Sequence, residues 1–361
     1  MEMKAIRLIL LAGVTLLALG SCQKDEKLGG QEVRFSAANP STKTAYDPGA
    51  PGQINWMDGE LVGIWSDKAT LRYDAGTNYY AYVVKNSAGN LAELDNQDND
   101  NGLIYNGNGA YQFWGVSPAG AAALTIGESA VTAEYSISAT QGPGEGDVTG
   151  GIYPADMNQA VLLAKTSISE VPAPKTKPIY LRFRPSFTAF EVEIVRPAST
   201  DVGAKDIVIK SVEVVSGEGL AGTVTATFNT DTTNDVDDDG SITYTVADDD
   251  RAQITYQFPD ENPATLAAAG GTVTFTVFAV PLDGEGLQFK FHLSDGQVRT
   301  ATLYKKGSGG TLEPFSIVDR QKHRLYGLIM PDDFKMFTNK AELDEYLSVE
   351  DPSESTEKIN L

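Results

Sequence analysis

The chain has 361 residues, a formal net charge of −21 and a single cysteine. The acidic balance argues against nucleic acid and anionic lipid as partners, because their phosphate groups would be repelled. One cysteine cannot form an intramolecular disulfide, so the fold must be stabilised by burial of apolar side chains, and the length suffices for two ordinary domains.

Residues 1–21 have the pattern of a secretory signal peptide. Lys4 and Arg7 precede an apolar run over residues 8–19, which is shorter than the roughly 20 residues that a membrane-spanning helix needs. The sequence Leu-Gly-Ser-Cys at residues 19–22 resembles the lipobox of bacterial lipoproteins, in which the cysteine is acylated and the chain is cut before it. The resemblance implies a mature chain anchored to a membrane through lipid on Cys22. A signal peptide followed by an unrelated cysteine is the alternative.

Residues 22–31 form a polar tether that begins with a candidate export address. Lys24, Asp25 and Glu26 resemble the signal that sends lipoproteins of the Bacteroidetes to the outer face of the outer membrane. The resemblance implies a surface-exposed, lipid-anchored protein of the cell outer membrane. A solvated linker is the alternative, because such a short motif recurs by chance in an acidic protein.

Residues 31–170 are predicted to form a first β-sandwich. A short strand over Glu32–Ser36 is followed by a loop rich in proline and glycine. Two apolar strands within residues 54–66 then flank an Asp-Gly turn, which is typical of a tight hairpin. An aromatic strand at Tyr111–Ser117 ends before a proline. Short strands separated by turn residues favour a sandwich over an α/β fold.

A second β-sandwich is predicted over residues 171–335, after a proline-rich stretch at 171–175 that suits a stiff linker. Leu287–Leu293 alternates apolar and polar side chains, and an Asp-Gly turn leads into the next strand, which predicts a hairpin. Residues 336–361 are predicted to hold a short amphipathic helix at 338–347 and an acidic tail. The predicted fold class is therefore all-β.

Several short motifs occur in a characteristic order near the start of the chain. They are Arg-Phe-Ser at 34–36, Thr-Lys-Thr-Ala-Tyr at 42–46, Ile-Asn-Trp at 54–56, Asp-Gly-Glu at 58–60 and Gly-Ile-Trp-Ser at 63–66. In this order they resemble the N-terminal signature of the fimbrillin (Mfa-like) family of Bacteroidetes, in the type V pilin superfamily. Leu181–Phe187 resembles the strand that opens the family's second half, although relatives commonly carry histidine where this chain has Arg184. The resemblance spans roughly residues 32–330 and implies two tandem transthyretin-like β-sandwich domains.

The family resemblance implies a structural and adhesive subunit of a type V pilus. In relatives, an arginine-specific protease removes the first strand, and a strand from a neighbouring subunit fills the groove, so other pilus subunits are the implied partners. In this chain the loop between Phe35 and Ile54 offers Lys43 but no arginine, and Arg34 lies inside the first strand. Lys43 and Arg34 are therefore the candidate processing sites. This departure favours an anchor, tip or accessory component over a stalk pilin.

A surface glycan-binding lipoprotein is the alternative function, with a host or glycan ligand as partner. Trp56, Trp65, Trp114 and the tyrosines within Tyr79–Tyr82 could stack on sugar rings if they shared one exposed platform. Large aromatic side chains on sandwich strands are more often part of the core.

No catalytic, cofactor or metal site is predicted, and the chain is not expected to be an enzyme. The glycine-rich run at 217–222 matches a dinucleotide fingerprint, but a β-branched strand follows it where that fingerprint needs a helix, so a hairpin is expected. Asp235, Asp237 and Asp239 resemble half of a calcium loop that lacks its closing glutamate. Solvated turns are expected there, and weak calcium binding is the alternative.

The lipid anchor can be tested by changing its attachment residue. Cys22→Ala removes the thiol that would be acylated, so we expect the protein to move from the membrane fraction to the soluble fraction. Fractionation followed by immunoblotting measures this, with Ser21→Ala as the matched control that keeps the cysteine. Equal membrane retention of Cys22→Ala would contradict the anchor.

Overall fold

The computed structural model describes residues 30–38, 46–47, 50–51, 56–88, 91–97, 101–128, 130–172, 177–229, 242–281, 283–306, 311–318, 320–330 and 333–348. These residues form an all-β fold with many short strands and one α-helix, which confirms the predicted fold class. Two short 3-10 helices, Met157–Gln159 and Asp248–Asp250, complete the regular structure.

The strands are numbered along the chain. Those before residue 170 are β1 (Gln31–Glu32), β2 (Phe35–Ala38), β3 (Tyr46–Asp47), β4 (Ala50–Pro51), β5 (Leu61–Ser66), β6 (Thr70–Leu71), β7 (Tyr79–Ala88), β8 (Leu91–Asn96), β9 (Leu103–Tyr105), β10 (Tyr111–Ser117), β11 (Ala123–Ile126), β12 (Val131–Ile137), β13 (Thr140–Gln141) and β14 (Leu162–Ile168). The later strands are β15 (Ile179–Arg182), β16 (Arg184–Pro185), β17 (Thr188–Arg196), β18 (Ile207–Val215), β19 (Gly222–Phe228), β20 (Ile242–Val246), β21 (Ile254–Gln257), β22 (Ala264–Leu266), β23 (Gly271–Ala279), β24 (Gly284–Glu285), β25 (Leu287–Leu293), β26 (Val298–Lys306), β27 (Leu312–Pro314), β28 (Ser316–Ile317), β29 (Lys322–Ile329) and β30 (Phe334–Phe337).

An eight-stranded sheet with the order β15-β2-β8-β7-β5-β10-β14-β16 is the main element of the first half. It curves strongly, so that β15 at one edge lies beside β14 near the other edge. Its concave side is filled by large apolar side chains, among them Phe35, Ile64, Tyr82, Phe113 and Phe183. Alternation along each strand places these residues on one face of the sheet.

A four-stranded sheet, β11-β12-β19-β20, belongs to the same core but draws its strands from both halves of the chain. β12 pairs with β19 over seven residues, from Val131↔Phe228 to Ile137↔Gly222. Val224, Phe228 and Ile242 are buried in the first core cluster. The division near residue 171 stays a prediction, but strand pairing and core packing both cross it.

Two elements lie elsewhere than their sequence patterns indicated. Leu181–Phe187, expected to open the second half, supplies β15 and β16 to the eight-stranded sheet of the first half. The glycine-rich run at 217–222 was expected to be a hairpin, and this is wrong, because it joins β18 and β19, which lie in different sheets. Gly219 and Gly222 have φ of +77° and +146° there, which favours glycine over other residues.

The second core lies between a seven-stranded sheet, which contains β18, β25 and β26, and the four-stranded sheet β23-β17-β29-β30. Its largest fully buried side chains include Phe190, Tyr256, Phe275, Phe289 and Phe291. The predicted hairpin is confirmed, since Leu287 pairs with Leu303 and the connecting Gly296 has φ of +87°.

The predicted C-terminal helix is confirmed as α1 (Lys340–Leu347). The side chain of Asn339 caps it by accepting a 3.0 Å hydrogen bond from the backbone amide of Glu342. Leu343 and Tyr346 are buried against β29, whereas Leu347 is 37% exposed. Residues 349–361 lie outside the described residues.

The shared core predicts that the first half senses a mutation made far along the chain. Phe228 is 1% exposed, and its truncation in Phe228→Ala should reduce the free energy of unfolding by about 3–5 kcal/mol. All three tryptophans lie at positions 56, 65 and 114, so tryptophan fluorescence during urea unfolding reports on the first half.

The midpoint of that transition should fall in Phe228→Ala and stay nearly unchanged in the half-buried control Thr227→Ala. An unaltered tryptophan transition in Phe228→Ala would show that the two halves are energetically independent.

Candidate functional site: the seat of the first strand

The residues proposed for anchoring and processing are only partly described. Cys22, the motif at 24–26 and Lys43 lie outside the described residues and stay predictions. Arg34 is described and lies where the chain passes from β1 into β2. The candidate site in the described structure is therefore the seat of the first strand. We use this name for β1 and β2 together with their pairing partners β9, β8 and β15.

The strand predicted over 32–36 consists of two short strands in different sheets. β1 pairs with β9, with Gln31 opposite Tyr105, and β2 enters the eight-stranded sheet. The carboxylate of Glu32 holds β1 in place by accepting a 2.5 Å hydrogen bond from the side-chain amide of Asn96. The guanidinium of Arg72 lies 3.8 Å from the other carboxylate oxygen.

β2 lies between two strands and pairs with both. It is antiparallel to β8, with Phe35 opposite Leu94, and parallel to β15, with Phe35 opposite Ile179. The backbone amide of Ile179 donates to the carbonyl of Arg34 at 2.7 Å, and that of Phe183 donates to the carbonyl of Ala38 at 2.8 Å. The second partner comes from more than 140 positions later in the chain, so local sequence patterns could not have identified it.

The side chains of this segment are deeply buried. Val33 and Ala37 have no exposed surface, and Phe35 is 2% exposed. The ring of Phe35 makes edge contacts with the rings of Tyr82 and Phe113, each at a centroid distance of 5.2 Å. Such aromatic pairs add to the stabilisation from burial itself. Removing β2 would therefore open a long apolar groove in the first core.

The side chain of Tyr82 is buried in this core together with its polar hydroxyl group. Its hydroxyl oxygen accepts a 3.0 Å hydrogen bond from the backbone amide of Leu103, and burial raises the pKa of Tyr82 far above its usual range. Burial in this core therefore favours the neutral, hydrogen-bonding form of the phenol. It links β7 to β9, the strand that also pairs with β1.

Arg34 has an exposed side chain but a backbone held on both sides. The amide of Val33 donates to the carbonyl of Leu103 at 2.8 Å, and the carbonyl of Arg34 accepts from Ile179. A protease binds several consecutive residues in an extended and accessible form, so cleavage at Arg34 requires prior opening of both ladders. An exposed guanidinium alone does not make this bond a protease substrate.

The aromatic residues considered for sugar stacking do not form one exposed platform. Trp56 and Trp114 are 3% and 2% exposed and belong to the first core cluster. Trp65 and Tyr79 are half-buried, and their rings lie against each other at a centroid distance of 4.3 Å. The tryptophans thus act mainly in packing.

The histidine of β29 packs against two aromatic rings. His323 stacks on Phe190 and makes an edge contact with Phe315. In the part of the chain that the structure describes, no cluster of three or more His, Cys, Asp or Glu side chains could hold a metal ion. That same part contains no helix with the length and hydropathy needed to cross a membrane.

Comparison with known proteins finds no matching family model and no similar curated protein. Among solved structures, a "putative cell adhesion protein" from Bacteroides uniformis is 12% identical, with 85% of this chain and 96% of that chain covered and a TM-score of 0.46. A fimbrial assembly protein from Parabacteroides distasonis is 11% identical, with 85% and 94% covered and a TM-score of 0.35. Structures named "putative polysaccharide binding proteins" from Bacteroides thetaiotaomicron are 11% identical, with 83% and 93% covered and a TM-score of 0.36. Because these identities and TM-scores are low, the proposals below rest on this chain's own residues.

The seat of the first strand should be a major source of stability. Phe35→Ala removes a buried ring that touches two others, so we expect the free energy of unfolding to fall by about 3–5 kcal/mol. Ser36→Ala is the matched control, since the buried hydroxyl of Ser36 has no hydrogen-bond partner among the described residues and its loss should cost about 0.5 kcal/mol or less. Urea unfolding measures both. Similar free energies of unfolding for the two variants would show that Phe35 is not a major source of stability.

Proposed function

We propose that the chain is a fimbrillin-like cell-surface lipoprotein, an anchor, tip or accessory component of a type V pilus with a structural and adhesive role. Lipid on Cys22 attaches it to the outer membrane, and the motif Lys24, Asp25, Glu26 directs it to the cell exterior. Its partners are other pilus subunits, bound by strand complementation. The acidic surface, with a net charge of −21, suits a protein that must stay soluble outside the cell.

The observation that carries this proposal is the seat of β2. A subunit that extends a polymer must lose its first strand to expose a groove, and the empty groove must then be filled by a neighbour. In this chain β2 is paired on both sides, Phe35 is buried, and the backbone next to Arg34 is held by Leu103 and Ile179. A subunit that keeps its strand has no open groove, so it ends a polymer.

The C-terminal end of the described chain supports the same role. β30 pairs with β29, and α1 packs Leu343 and Tyr346 onto that sheet. An apolar donor strand would have to be free to leave its own subunit. Here the apolar side chains of α1 are already buried in the chain's own fold.

We expect most of the protein on cells to retain residues 22–36. N-terminal sequencing of surface material measures this directly, and gel electrophoresis without heating measures polymer length. Lys43→Arg is the matched variant, because it places an arginine in the loop that relatives use for processing. An arginine-specific surface protease should cut this variant at residue 43 and leave the unmodified chain intact.

Two other results would contradict parts of this proposal. A dominant N-terminus at Thr44 or Phe35 in the unmodified chain, together with heat-labile ladders, would identify a stalk pilin. A protein fully protected from added protease on intact cells would show that the export address is misread.

A further inference from the structure

The two ends of the eight-stranded sheet meet along a seam, with β14 on one side and β15 and β16 on the other. The seam is closed by strand pairing at one end and open at the other. β16 pairs with β14, with Leu162 opposite Pro185 and Leu163 opposite Arg184. β15, which directly precedes β16, lies beside β14, but no ladder joins these two strands in the described structure. A cleft of about 420 Å³ lies here, lined by residues of both strands and by Pro172, Lys177 and Pro178, and its volume is within the size range of small-ligand sites.

Register identifies the residues that would face each other across the open part of the seam. Continuing the pairing of β14 with β16 by the same rule would set Lys165 opposite Arg182 and Ile168 opposite Ile179. The open part of the seam is thus the part in which continued pairing would set Lys165 opposite Arg182.

The lining of the cleft is cationic although the protein is acidic. Lys165, Lys177 and Arg182 line it, and none of its described lining residues is acidic, in a chain with 49 acidic and 28 basic residues. Lys165 is 3% exposed and donates to the backbone carbonyl of Asn229, which fixes its position. Lys177 and Arg182 are exposed at the rim.

The remaining lining residues are suited to a sugar ring. Thr166 supplies a hydroxyl, Tyr180 presents a ring that is 48% exposed, and Pro172, Pro178 and Ile179 add apolar surface. An aromatic ring can pack against the C–H face of a sugar while its edge stays hydrated. A carboxylate on the same sugar would be held by charge-assisted hydrogen bonds from lysine or arginine.

We propose that this cleft between β14 and β15 binds an acidic saccharide, with Arg182 and Lys177 holding a carboxylate and Tyr180 stacking on the ring. The inference goes beyond the proposed role in a pilus. It concerns a second surface of the subunit and is tested on the chain that retains its first strand.

The test is titration calorimetry on the full chain made soluble by Cys22→Ala, with a trisaccharide of galacturonic acid as the probe. We expect a Kd below about 1 mM at low salt. Binding should weaken clearly when the salt is raised to about 0.5 M, because salt screens the attraction between the carboxylate and the cationic side chains. The neutral trisaccharide of galactose should not bind. Arg182→Gln and Lys177→Gln should each weaken binding about tenfold, and Tyr180→Ala should also weaken it.

Two controls separate this site from general charge effects. Lys210→Gln removes an exposed cation on β18, outside the cleft, and should leave binding unchanged. Thermal unfolding of every variant checks folding. The variants lie at the rim because replacement of buried Lys165 should destabilise the protein. The absence of binding, equal binding of the neutral trisaccharide, or equal loss in Lys210→Gln would overturn the proposal. Equal binding of tetraglutamate or sulfate would overturn the assignment to a saccharide.

Discussion

The pairing of β2 with β15 is the contact on which the first half of the molecule depends. It joins Phe35 to Ile179 across more than 140 positions and places the first strand inside the sheet. With β2 in place, Phe35, Tyr82 and Phe113 form one aromatic cluster in a core closed to water. Because both edges of β2 are hydrogen-bonded, its loss would expose backbone groups as well as apolar surface.

The chain links its two halves by exchanging strands between them. β15 and β16 complete the first sheet, and the β19–β20 hairpin covers the same core from outside. Conversely, Tyr153 from before residue 171 is buried in the second core, and its hydroxyl donates to the carbonyl of Asn262 at 3.0 Å. Neither half can therefore open without breaking contacts made by the other.

β15 takes part in both features to which we assign a function. One of its edges pairs with β2, and its other edge forms a wall of the cationic cleft. Its side chains alternate accordingly, with Ile179 and Leu181 buried and Tyr180 and Arg182 exposed. Retention of the first strand therefore also fixes the shape of the cleft, because β15 would lose its hydrogen-bonded neighbour if β2 were removed.

Features encoded by neighbouring residues were predictable from the sequence. The all-β class, the hairpin with its turn at Gly296 and the helix capped by Asn339 follow from alternation, turn chemistry and capping, which act over a few positions. The lipidation motif at Cys22 and the export address are likewise linear signals, and they remain predictions of the sequence alone.

Tertiary structure decided which strands became neighbours. Contacts between distant segments decide three features. They divide the first strand at Val33, place β19 against β12, and carry the chain from one sheet to another at the glycine-rich run. Several partners of similar hydrophobicity compete for each strand, so a pattern of period two fixes the buried face but not the neighbour. For the same reason the cleft was invisible in the sequence. Lys165 and Arg182 lie 17 positions apart, and the pairing of Leu163 with Arg184 in the folded sheet brings their two strands together.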